Sequence, residues 1–447
     1  MANIVVFGKA QSGKSTLLGY FLSRHNHDFN LDDFEEKMKL SLGKDYEPSY
    51  LYSYIMDDSK YERIVKKGTR TIHVRKFSFN TSLRVTVIDT PGVEHHVRPK
   101  QKAAFLGDIG IFCLELKDVI SENFMSSSRE NAQIMSTLLL WSNLGHRSII
   151  VALTKCDECN YSKTDYLLAQ KRVKLLCGNT DINNVTVIPI SILVSQKRGL
   201  NIIERSEEFS WYEENTLRDE LAIKVKGLPS KKGGSLLFSV HSQIDKPSSQ
   251  AGKVWMIKII QGEITKDEEI IISPVLTKDK AFVAIRAKVK NIRYDLHEGE
   301  RSESVDSAGA GDIVGIDIKN IYCGNEKLDK RSFDTLYTTC GFGANVKYKT
   351  SDIFVFSVDS KYASHFTENR EFSLMWFGRG ITFSVAESTV IDDYHFRVVA
   401  KVKSRKLTLP IQSDGKYYFK RLIIKDENNK LENPYYEGIL IQIGKDE

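Results

Sequence analysis

The sequence predicts an α/β domain followed by two all-β barrels. Three observations carry this expectation. Through about residue 215, apolar β-type runs alternate with amphipathic helical patterns, the signature of a parallel sheet wrapped by helices. Beyond Leu221 the texture changes to short β-branched and aromatic runs separated by turn signals, long enough for two barrels or sandwiches. Near the N-terminus, the segment from Gly8 to Ser15 reads G-K-A-Q-S-G-K-S between a strand pattern and a helix pattern.

The elements follow in order. Asn3, Ile4, Val5, Val6 and Phe7 form an apolar β-type run, and residues 16–22 place apolar side chains at helical spacing. Further strand-like runs lie at 85–88, 109–114, 148–153 and 185–190, with helical stretches at 130–140 and 166–176 between them. The later β runs are 253–260, 269–273, 282–292, 313–318, 353–358, 381–385, 396–402, 417–424 and 438–443. A polar, charged joint at 324–332 marks a second boundary, so the expected domains are 1–220, 221–325 and 326–447.

Composition narrows the class. The balance of 41% hydrophobic and 27% charged residues is that of a globular protein. No run approaches the ~18 apolar residues of a membrane span, so no membrane partner is expected. The first residues enter a strand pattern without a basic n-region, so no secretion signal is expected. Six cysteines in 447 residues do not make a disulfide framework, which favours a reducing, cytoplasmic compartment. Cys156 and Cys159 form a C-x-x-C with no second pair at zinc spacing, and coincidence is the better reading. A net charge of +6 permits an anionic partner such as RNA without demanding one.

The segment Gly8 to Ser15 matches G-x-x-x-x-G-K-S, and its strand–loop–helix context gives the pattern a mechanism. Backbone N–H groups of Gly8, Lys9, Gln11, Ser12, Gly13, Lys14, Ser15 and Thr16 would cradle phosphate oxygens at a helix N-terminus. Lys14 would reach the β- and γ-phosphates, and the Ser15 hydroxyl would bind Mg²⁺. An apolar strand then ends in Asp89-Thr90-Pro91-Gly92. Asp89 suits an indirect contact to Mg²⁺, and the Gly92 amide can approach a γ-phosphate because no side chain blocks it. Another apolar strand ends in Thr154-Lys155-Cys156-Asp157. The Asp157 carboxylate can accept from the N1–H and 2-amino group of guanine, a donor pair that adenine lacks. The Lys155 stem would pack along the base. Ser191 and Ile192, after a further strand, suit a loop whose backbone meets the guanine oxygen. In Lys67-Gly68-Thr69-Arg70-Thr71-Ile72 a threonine would sense the γ-phosphate through Mg²⁺. Thr71 is the first choice and Thr69 the alternative.

The ordered set resembles the translation-factor class of GTPases, near the branch of elongation factor 1-alpha, the release-factor GTPase and the GTPase subunit of ATP sulfurylase. Residues 34–36, 43–44, 54–57 and 62–63 look like that branch's helical insertion before the first switch. Ser128-Arg129-Glu130-Asn131 is similar to its T-R-E-H, and Trp211-Tyr212 with Thr216-Leu217 to its W-Y…T-L. Gly262-Glu263-Ile264 and the run from Gly309 to Gly315 resemble strands of the second domain. The likeness fades after Asp329, where only Tyr436-Glu437-Gly438-Ile439-Leu440 looks like the family's closing strand. The resemblance implies a P-loop GTPase domain with two β-barrels, GTP/GDP and Mg²⁺ as cofactors, and an RNA partner (tRNA or ribosome) or a protein partner, with no DNA expected.

The departures matter too. Lys9, Ala10 and Gln11 stand where the family has His, Val and Asp, which removes the Asp of any monovalent-cation site. Thr154 replaces the base-loop Asn but can still tie loops together. Val93 stands where the resemblance implies a water-positioning His, so slow intrinsic hydrolysis is expected, with His95 or His96 as a substitute. Three functions compete: a translation-type switch, a GTPase subunit driving a metabolic enzyme as in sulfate adenylylation, and a hydrolysis-weak GTP-dependent scaffold. Phe372 to Gly380 lacks the family's G-Y-x-P counterpart and reads as a buried strand and turn, or as a partner groove.

Overall fold

The computed structural model describes residues 2–25, 29–56, 69, 72–78, 84–92, 97–125, 129–228, 233–245, 253–278, 281–294, 304–328, 333–334, 339–377, 379–403, 406–411, 421–426 and 435–443. The chain forms two compact units, Met1–Pro229 and Ser230–Glu447.

The first unit is built on six strands: β1 (Ala2–Gly8), β2 (His73–Ser78), β3 (Arg84–Asp89), β4 (Ile109–Glu115), β5 (Ser148–Thr154) and β6 (Asn184–Pro189). They lie in the order β2-β3-β1-β4-β5-β6. Only β2 runs antiparallel. Every residue of central β1 is buried, which explains why it reads as an unbroken apolar run rather than an alternating one. Register places Val6 beside Asp89 and Gly8 beside Cys113, and Glu115 beside Thr154. The C-terminal tips of β1, β3 and β5 therefore share one edge of the sheet, where ligands of open α/β sheets bind.

Helix α1 (Lys14–His25) leaves the loop after β1, and α2 (Leu31–Leu42) and α3 (Leu51–Met56) follow. The Asn30 side chain caps α2 by accepting from the amides of Asp32 and Asp33. Helix α3 crosses α1 at Gly19, where a Cβ would stand 1.8 Å from the Tyr52 carbonyl oxygen. Only a bare glycine face permits that approach. The helical patterns at 130–140 and 166–176 are the helices Arg129–Asn143 and Lys163–Cys177. Near the end of the unit, Trp211 Nε1 donates to Tyr161 O at 2.9 Å, and Thr216 caps the helix Leu217–Lys226.

The second unit holds two six-stranded rings. In the first, Phe282–Arg293, Glu269–Thr277, Cys340–Gly343, Leu237–Asp245, Lys253–Gln261 and Ile313–Cys323 pair in that order, and the last closes on Phe282–Arg293. Its interior is aliphatic, with Ile257, Ile270, Ile285, Val289, Val314 and Ile316 buried against Phe238 and Trp255. The ring takes Cys340–Gly343 from beyond the boundary expected at residue 325, because among the described residues it is the strand that joins Glu269–Thr277 to Leu237–Asp245. The closed second ring is Ile353–Asp359, His395–Val402, Arg379–Val390, Glu371–Trp376, Arg421–Lys425 and Tyr435–Ile443. Phe354, Phe356, Phe372 and Phe383 fill it, which accounts for the apolar run at 372–377. The expected run at 417–424 is described only from Arg421. No helix among the described residues is long and apolar enough to cross a membrane.

Candidate nucleotide-binding site

A cleft of about 470 Å³ opens at the C-terminal edge of the sheet, in the size range of small-molecule sites. Its walls come from the phosphate loop, the segments that follow β3, β5 and β6, the residues Ser49, Tyr50 and Thr69, and α3. Gln11, Gly13, Lys14, Ser15 and Thr16 line one end, and Lys155, Asp157, Ser191 and Ile192 the other, with Thr69, Gly92 and Thr154 between.

At the phosphate end the loop is shaped by its own contacts. Lys9 O accepts from Lys14 Nζ at 2.6 Å and from Ser12 Oγ at 3.0 Å. Gly13 holds φ +84° and Gln11 φ +65°, left-handed geometry of the kind found in anion-binding loops. Gly8, Lys9 and Ser12 shape this loop but are not among the residues that line the cleft. Lys9 Nζ instead pairs with Asp118 in the helix after β4. Gly92 lies so close to the loop that a Cβ would stand 2.4 Å from Ala10 N. Its carbonyl accepts from Gln133 Nε2 at 3.2 Å.

Beside the loop, Ser15 Oγ donates to Asp89 Oδ2 at 2.5 Å and lies 3.3 Å from Thr69 Oγ1. Asp89 is fully buried, and its Oδ1 has no hydrogen-bond partner among the described residues. Hydroxyls and a buried carboxylate with spare acceptor capacity are the hard oxygen set that Mg²⁺ takes, so the residues fit that ion. Thr69, the alternative threonine, lies beside Ser15. Thr71, Val93, His95 and His96 lie outside the described residues.

The base end is tied to the phosphate end through Thr154. Its buried hydroxyl lies 3.1 Å from Ser12 O and 3.3 Å from Leu114 O, so one side chain joins β4, β5 and the phosphate loop. Lys155, which lines the cleft, adopts φ +55°, and its Nζ pairs with Glu115 Oε2 at 3.0 Å. The amide of Asp157 donates to Ser191 Oγ at 3.0 Å and so links the two base loops. Cys156 points into the core, its Sγ 3.2 Å from Leu153 O, and burial raises its thiol pKa. No cluster of three or more His, Cys, Asp and Glu side chains able to hold a metal occurs among the described residues.

Five lining residues have no motif in the sequence: Ser49, Tyr50 and Ser53 before and within α3, Glu158 beyond Asp157, and Val194 beyond Ile192. Thr16 Oγ1 lies 3.1 Å from Ser53 Oγ, which joins the end of the phosphate loop to α3.

The family model of the elongation factor Tu GTP binding domain matches residues 1–228. Elongation factor 1-alpha of Methanocaldococcus jannaschii is 25% identical over 327 residues, covering 71% of this chain and 68% of its own length. Elongation factor 1-alpha of Cenarchaeum symbiosum is 26% identical over 352 residues, covering 75% and 70%. Among solved structures, the S. cerevisiae Ski7 GTPase-like domain bound to GDP and inorganic phosphate superposes with a TM-score of 0.75 at 15% identity, covering 98% of this chain and 97% of that one. Elongation factor SelB of Methanococcus maripaludis with a GTP analogue gives 0.63 at 16% identity, covering 99% and 79%. At those identities the superpositions speak for the shared fold alone. With the family match spanning the unit that carries the cleft, the chain belongs to the translation-factor class of GTPases, the elongation factor Tu and elongation factor 1-alpha superfamily.

Proposed function

We propose that this chain is a cytoplasmic guanine-nucleotide switch that binds GTP and GDP with Mg²⁺, hydrolyses GTP slowly by itself, and gates an RNA or protein cargo. The nucleotide half of the switch is assigned to residues 1–220 and the cargo-facing half to the barrels. The observation that carries the reading is the Ser15–Asp89–Thr69 oxygen cluster in the same cleft as Asp157. In that reading the amides of residues 10–15 hold phosphate oxygens, which would replace Lys9 O as the acceptor for Lys14 Nζ. Ser15 and Thr69 would hold Mg²⁺, with Asp89 in indirect contact, and the ion would supply neutralisation of phosphate charge. Asp157 selects guanine by accepting from its paired donors. The Gly92 amide senses the γ-phosphate, its freedom limited by Gln133.

Val93 supports slow hydrolysis, because a valine side chain neither orients nor polarises an attacking water. The same residue supports a second reading, a GTP-dependent scaffold whose cycle is set by a partner. The Ski7 domain, described as GTPase-like and also seen bound to GTP, is consistent with either. Single-turnover GTP cleavage by the full chain tests the hydrolysis claim. The expected result is slow turnover that rises in Val93→His. A fast rate that survives His95→Ala and His96→Ala would overturn it. Sequencing of co-purified RNA and mass spectrometry of co-purified protein separate cargo classes: tRNA or ribosomes support the translation switch, and a nucleotidyltransferase would replace it with the metabolic subunit.

A further inference from the structure

The nucleotide cleft has a wall that no phosphate- or base-reading motif supplies. Ser49, Tyr50 and Ser53 line it from the segment at 31–56, and Val194 faces it from the turn beyond the base loop. The short helix Pro48–Tyr50 packs against the turn Val194–Gln196, so this part of the wall closes the base end, while Ser53 meets Thr16 of the phosphate loop at 3.1 Å. Immediately after that turn comes Lys197, at φ +51°. Its Nζ meets Asp32 Oδ1 at 2.5 Å and Glu35 Oε2 at 2.7 Å, both on α2. Glu35 also takes Lys39 Nζ at 2.7 Å and the Tyr46 hydroxyl at 3.2 Å. The Lys197 carbonyl accepts from Arg24 of α1 at 2.8 Å.

The Glu35 side chain is only 15% exposed, and hydrogen bonds from Lys197 and Lys39 hold its carboxyl down at about 2. It is therefore charged at every physiological pH. A multi-partner network on a sheltered carboxylate is worth more than an isolated surface pair. Nothing in the phosphate- or base-reading chemistry uses these residues. Their one evident consequence is to fasten α2, and the chain that runs from it into the wall, to the loop beside the base.

We propose that the segment 31–56 is a working wall of the nucleotide site and that the Glu35–Lys197 pair latches it over the sugar–base end of a bound guanine nucleotide, setting how slowly that nucleotide leaves. The inference rests on the guanine-nucleotide reading above. Lys197 and Glu35 act as positioning residues through Tyr50, Ser49 and Val194. Parting the latch frees the wall, so its loss speeds dissociation and leaves recognition of the base by Asp157 intact.

The test is release of tritiated GDP from the full chain, chased with unlabelled GDP. Lys197→Ala and Glu35→Gln are expected to release GDP roughly five- to tenfold faster, with association little changed and guanine still preferred over xanthine. Lys197→Arg keeps the charge and is expected to keep slow release. Raising ionic strength should speed the wild type toward the alanine variant and leave that variant unmoved. Wild-type release rates in both Lys197→Ala and Glu35→Gln would overturn the latch. Failure of the wild type to retain GDP at all would instead remove the guanine-nucleotide reading.

Discussion

The two ends of the cleft are built in different ways. The phosphate end is centred on one run of eight residues, Gly8 to Ser15, whose left-handed φ angles and shared acceptor, Lys9 O, are local properties of the chain. The base end is assembled from segments far apart in sequence: Thr154 to Glu158, Ile190 to Val194, and Ser49 with Tyr50. A local loop gains its geometry as soon as the strand and helix beside it form. A composite site exists only when the whole unit has packed. The difference teaches that binding strength should concentrate at the first end, while selectivity and residence time should be set at the second.

Three substitutions sharpen or break that contrast. The largest effect is expected for Lys14→Ala, which deletes a buried ammonium aimed into the phosphate loop. Loss of charge-assisted bonds to phosphate should weaken GTP and GDP alike by about a hundredfold or more in calorimetric titration. An effect below tenfold would mean that the loop does not carry the binding energy. Next is Asp157→Asn, expected to weaken GTP by roughly tenfold to a hundredfold and shift preference toward xanthosine nucleotide, whose 2-oxo group accepts where guanine donates. Unchanged selectivity in competition would remove Asp157 from the base end. The smallest is Thr69→Ala, which deletes the hydroxyl beside Ser15. The Mg²⁺ concentration needed for tight GTP binding should rise by about fivefold, with GDP little affected. If Thr71→Ala has that effect and Thr69→Ala does not, the switch threonine is Thr71.

Much of the fold is legible in the order of the amino acids. The strand runs at 109–114 and 148–153 emerge as β4 and β5 with shifts of one residue, because buried parallel strands are apolar on both faces. The ring strands Phe282–Arg293 and His395–Val402 show through their β-branched alternation. Leu237–Asp245 does not, because its serines, histidine and glutamine dilute the pattern. Cys340–Gly343 offers only four residues, two of them glycine, and no strand signal of its own. Its place in the first ring comes from pairing with strands some seventy to a hundred residues earlier. Ser49, Tyr50 and Ser53 carry no signal either, since nothing local distinguishes a serine that faces a cleft from one that faces water.

By itself, then, the sequence determined the phosphate loop, the strand-tip residues Asp89 and Asp157, and the change from α/β to all-β texture, because each rests on neighbouring residues or on a period that neighbours repeat. Only the tertiary structure decided that Thr69 stands beside Ser15, that Thr154 stitches the loop to β4, and that Lys197 fastens α2 beside the base. Those contacts join residues from 40 to 165 positions apart. Their geometry exists only once the sheet register and the bare face of Gly19 have brought the segments together.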